Sequence, residues 1–60
     1  MYLFEVHYIN MDTDTEVVKK IEFEEQFFTS ERDAYLYAMG RAYDMAEKNE
    51  MFASLEFIAC

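Results

Sequence analysis

Proline and tryptophan are absent from this chain, glycine and cysteine occur once each, and lysine and arginine together number 5. Each scarcity excludes something. A lone cysteine, Cys60, permits no intrachain disulfide, and with a single histidine there is no Cys/His cluster at zinc-finger spacing. Gly40, the only glycine, cannot make a glycine-rich phosphate loop. With 13 acids the formal net charge is -8, which argues against direct nucleic-acid binding, because affinity for a phosphate backbone comes from Lys and Arg displacing counterions. The same charge disfavours an anionic membrane surface. No stretch approaches the ~20 apolar residues of a membrane span, and Met1 to His7 lack the basic region and small-residue cleavage site of a signal peptide. A cytoplasmic location is expected.

What is present is apolar: 53% of residues are hydrophobic and 18% aromatic, enough burial to offset ordering entropy. The chain should fold, as one small domain over residues 1–60 with no repeat, linker or low-complexity stretch. Yet so short a chain buries only about 60% of the surface its unfolded form exposes. Small domains add disulfides, a structural metal or a second copy of themselves. The absences above leave the second copy.

Residues 1–10 put Tyr2, Phe4, Val6 and Tyr8 on one face and Met1, Leu3, Glu5, His7 and Ile9 on the other, the pattern of a strand covered on both sides and hence central. Asn10 to Asp14 are residues whose side chains bond nearby backbone, a hairpin loop. From Glu16 to Phe28 the apolar Val17, Ile21, Phe23 and Phe27 alternate with Lys20, Glu22, Glu24 and Gln26, as in a half-buried edge strand. Ser30 is a helix N-cap followed by Glu31 and Asp33 in the first turn. On a helical wheel Ala34, Tyr35, Ala38, Met39, Ala42, Met45 and Ala46 share one arc, with the helix stopping around Lys48 to Glu50. Leu36, Tyr37 and Tyr43 fall at or outside its margin. Met51 to Cys60 form a third strand with Met51, Ala53, Leu55 and Phe57 on one face and Phe52 and Ile58 on the other. A right-handed crossover then gives an α+β fold, β-β-α-β, with a three-stranded antiparallel/mixed sheet of order 2-1-3 and one helix packed on one face.

That helix covers one sheet face only. The other retains Met1, Leu3, His7, Ile9, Phe52 and Ile58, with Phe28 near its margin, and a patch of that kind rarely faces water in a monomer. A homodimer is expected, either by stacking of these faces or by pairing of edge strands.

The chemistry is sparse. Asn10, Asp12, Asp14 and Glu16 superficially resemble the start of a calcium loop, but its sixth and twelfth places hold Thr15 and Ile21 rather than Gly and Glu, so a solvated hairpin tip held by Asx turns is expected. His7 has no nucleophile at motif spacing, and its one expected role is to titrate within a dimer contact. Cys60 has no evident base or positive neighbour to activate it, and the carboxylates Glu22, Glu24 and Glu25 read as a solvated face. No catalytic, metal or cofactor residue is assigned, and no enzyme activity is expected. The leading expectation is a non-enzymatic protein-interaction module. Its partner surface comprises Glu16, Glu22, Glu24, Leu36, Tyr37 and Tyr43, suited to a basic protein. The alternative is an inhibitor that imitates nucleic acid with regularly spaced acids and blocks a basic DNA- or RNA-handling protein.

Overall fold

The strands and helix follow the periodicities of the sequence in a computed structural model, which describes residues 1–24, 26 and 28–59. Expectations for Glu25, Phe27 and Cys60 lie outside the described residues. The elements are β1 (Tyr2–Asn10), β2 (Thr15–Phe23), α1 (Glu31–Asp44) and β3 (Glu50–Ala59). The sheet order is β2-β1-β3, and β1 pairs antiparallel with both neighbours. No described helix is long and apolar enough to cross a membrane.

The hairpin between β1 and β2 turns without glycine because Asn10 supplies the missing geometry. Its Oδ1 accepts from the amides of Asp12 at 2.9 Å and Thr13 at 3.2 Å, an Asx turn, and Asp14 closes the loop at φ 58°, a region Asp tolerates. Asn49 ties the start of β3 to this tip, its carbonyl accepting from the Met11 amide and its side chain donating to Asp12.

Ser30 caps α1, accepting from the Asp33 amide, and Ala34, Ala38 and Ala42 are fully buried against the sheet. Small side chains at this spacing let the helix lie close over Phe4, Val6 and Tyr8, which are also fully buried. Tyr8 sends its hydroxyl to the Ala42 carbonyl near the helix C-terminus. Aromatic rings extend this core: Phe4 stacks on Phe23 and meets Phe57 edge-on.

Four expectations need correction. The second strand ends at Phe23 rather than Phe28; Phe28 turns back onto Phe23 and Tyr37 and joins the core margin. The helix ends at Asp44, not near Lys48. Past the stop, Lys19 from β2 donates to the Met45 carbonyl, a tertiary contact, and Glu50 accepts locally from the Glu47 amide. Tyr35, placed in the buried arc, is exposed with one ring edge on Phe4. Finally, Phe52 lies on the helix-covered face, against Tyr8 and Tyr43, and Met51 takes the open face opposite Ile9. The cause is an irregularity in the β1–β3 ladder between His7 and Tyr8: His7 pairs with Ser54 but Tyr8 with Phe52, leaving Ala53 as an extra residue. One extra residue reverses the in-and-out alternation on its N-terminal side.

Candidate functional site

The face of the sheet away from α1 is built by the residues of β1 that alternate with its core. Leu3, Glu5, His7 and Ile9 point there. Register sets their neighbours: Glu5 stands between Lys20 of β2 and Glu56 of β3, His7 opposite Ser54 of β3, and Ile9 opposite Glu16 of β2. Three carboxylates therefore converge on one imidazole. His7 Nδ1 lies 3.2 Å from Glu16 Oε2, while Nε2 lies 3.2 Å from Glu5 Oε1 and 4.0 Å from Glu56 Oε2. The Glu16 hydrogen bond pushes the His7 pKa up against an opposing desolvation effect, and Glu5 adds to the rise. Among the described residues no Lys or Arg lies within 4.0 Å of these three carboxylates.

Around this polar centre lie Leu3, Ile9, Val18, Met51 and Ile58, the last three exposed. The centre is thus charged and the margin apolar, whereas an apolar patch was expected. Of the expected self-association residues, Leu3, His7 and Ile9 occupy this face, Met1 and Ile58 are exposed, and Phe52 belongs to the covered side. The total accessible surface of 4137 Å² matches the ~4100 Å² expected for a folded chain of this mass. Any case for a partner therefore rests on where the exposed apolar groups lie, not on their amount.

The two sheet edges differ. β2 carries Glu16, Lys19, Lys20 and Glu22, the charged side chains that guard natural edges. β3 reads Glu-Met-Phe-Ala-Ser-Leu-Glu-Phe-Ile-Ala with no Lys, Arg or Pro, and its Glu50 is occupied by Lys19 at 2.8 Å. That ion pair holds the Glu50 carboxyl below, and the Lys19 ammonium above, their ordinary ranges. Lys19 also sits 4.8 Å from the centre of the Tyr8 ring. Sequence reasoning passed over Lys19, although a lysine at an odd position among Val17, Ile21 and Phe23 marked it as facing the core side.

On the outer side of α1, Leu36, Gly40 and Tyr43 line up at i, i+4 and i+7. Leu36 is 56% and Tyr43 60% exposed, though Tyr43 leans on Phe52; Tyr37 is exposed and packs on Phe23 and Phe28. A Cβ at Gly40 would meet nothing within 4 Å. Glu16 and Glu22 share the open face of β2 with Lys20 between them, and Glu24 lies just past the strand end. The sheet thus brings Glu16 to His7, sets Glu22 further along the same face opposite Leu3, and leaves Leu36, Tyr37 and Tyr43 on a separate, helical surface. No protein-family model, curated protein or solved structure matches the chain.

Proposed function

We propose that this chain is a non-enzymatic protein-interaction module that works in the cytoplasm as a homodimer. The observation that carries the reading is the edge of β3, long, without lysine, arginine or proline, carrying two acids, Glu50 and Glu56, against the four charged side chains of β2, and regular from Ser54 to Phe57 between irregularities at Ala53 and Ile58. Such an edge pairs with another strand where it is left bare. A two-fold axis through Leu55 would set Leu55 beside its copy, continuing the core, and Ser54 opposite the copy's Glu56. An axis through Glu56 would set two carboxylates face to face, which is destabilising. The first register is the one we favour. Stacking the open faces instead would press two copies of the Glu5–His7–Glu16–Glu56 cluster together, in a chain of net charge -8.

Edge pairing leaves the line Leu36–Gly40–Tyr43 and the acids Glu22 and Glu24 free for a further partner, which the charge suggests is a basic protein. The nucleic-acid mimic ranks second. Lys20 standing between Glu16 and Glu22, and His7 bonded to Glu16, interrupt the even row of negative charge such a mimic needs.

The test uses two exposed residues of similar character on opposite edges, Ile58 on β3 and Val18 on β2. In sedimentation velocity, Ile58→Lys should shift the protein towards monomer while Val18→Lys leaves the dimer intact. Equal effects of the two, or none, would reject the β3 edge as the interface.

A further inference from the structure

We propose that Glu5, His7 and Glu56 form a binding site for a divalent first-row transition metal, with zinc as its best match. The site lies on the open sheet face and shares Glu56 with the β3 strand whose edge is proposed to pair, and metal binding is read separately from the oligomeric state. Three ligand atoms, His7 Nε2 and one oxygen from each glutamate, lie within 4.8 Å of one another. Tetrahedral zinc with bonds near 2.0–2.2 Å places its ligands about 3.3 Å apart. His7 Nε2 and Glu5 already stand at 3.2 Å, while Glu56, on an exposed side chain, is 4.0 Å from Nε2 and within 4.8 Å of the Glu5 oxygen, so it needs to close by about 0.7 Å on the first and at most about 1.5 Å on the second.

Two further observations point to a cation. First, Glu5 and Glu56 are direct cross-strand partners, like charges that destabilise a sheet; Lys20 stands on the other side of Glu5 but beyond 4.0 Å of either carboxylate, so a cation between the two glutamates would relieve their repulsion. Second, His7 is oriented as metal-binding histidines are. Its other nitrogen, Nδ1, faces the Glu16 carboxylate at 3.2 Å and can keep its proton there, so a metal at Nε2 has only to displace the proton that this nitrogen shares with Glu5. A carboxylate behind a histidine in this way fixes the ring and raises its basicity as a ligand. The ligands come from the paired strands β1 and β3, and the orienting carboxylate from β2, so rigid elements set the geometry. A mixed imidazole and carboxylate set suits zinc and its neighbours rather than calcium or magnesium, which take oxygen ligands. The fourth position would hold water. An ion here would supply the added stability that a chain of this length lacks from disulfides.

The test is isothermal titration of chelator-treated full-length protein with zinc chloride, and separately with calcium chloride. Cys60→Ser serves as a control because a thiol also binds zinc. The expected result is one zinc per chain in both wild type and Cys60→Ser, with no calcium binding. Affinity should fall at least tenfold in Glu56→Gln and His7→Gln, and 10–100-fold in Glu16→Gln, the loss typical when a ligand's orienting partner is removed. Both Glu56 and Glu16 are exposed, so their variants should keep the wild-type circular dichroism. Absence of saturable binding up to millimolar zinc would overturn the proposal, as would binding that survives in His7→Gln or disappears in Cys60→Ser.

Discussion

Gly40→Ala should stabilise this protein, and the size of the gain follows from what surrounds the residue. Gly40 lies inside α1, four residues before its end, with ordinary helical backbone. Glycine in a helix interior costs about 0.5–1 kcal/mol relative to alanine, because the unfolded chain has more freedom to lose. An added Cβ there meets nothing within 4 Å, so no clash opposes the gain. A domain of this length has roughly 3–9 kcal/mol of total stability. The substitution is therefore a sizeable fraction of it, and at about 4–8 °C per kcal/mol it should raise Tm by about 2–8 °C. Thermal melts and urea titration would measure it, with the urea m-value unchanged because the surface exposed on unfolding is the same. The proposed dimer should persist, since its proposed interface is on β3 and not on this helix. A fall in Tm, or a gain accompanied by loss of the dimer, would refute the reasoning, showing that a second chain approaches Gly40 closely.

The remaining predictions concern contacts the fold depends on. Ser30→Ala removes the acceptor for the Asp33 amide and should cost about 0.5–2 kcal/mol, read as a lower urea midpoint. Tyr8→Phe leaves the Ala42 carbonyl without its buried donor and should cost about 1–3 kcal/mol in the same assay, with the ring packing kept. Lys19→Met should lower Tm at neutral pH. Because Lys19 holds the Glu50 carboxyl below its ordinary range, that part of the stability is present above the ordinary carboxylate pKa of about 4.3 and is lost as pH falls through the lower folded value. Melts between pH 2 and 7 should therefore show wild type and Lys19→Met drawing closer at the acid end. A gap that is constant with pH would assign the effect of Lys19 to the Met45 carbonyl alone.

Element order and sheet order were legible because they rest on local signals. Period-two alternation in Tyr2 to Tyr8 marks the central strand, and Ser30 before the alanines marks the helix start. What escaped depends on contacts between distant segments. The helix stop involves Lys19, which is far from it in sequence, and no glycine or proline announces it. The extra residue at Ala53 exchanges Phe52 and Met51 between faces, and nothing in the string of apolar side chains locates it. The His7 cluster was half legible. Glu5 and His7 on one face of β1 follow from alternation, but bringing in Glu56 and Glu16 requires the cross-strand register.

The central claim is that a second copy completes this fold, and light scattering on the wild-type protein across a hundredfold concentration range tests it most directly. The account predicts twice the chain mass at low micromolar concentration, with the mass falling on dilution. A folded monomer at every concentration would contradict it and leave the bare β3 edge without its partner.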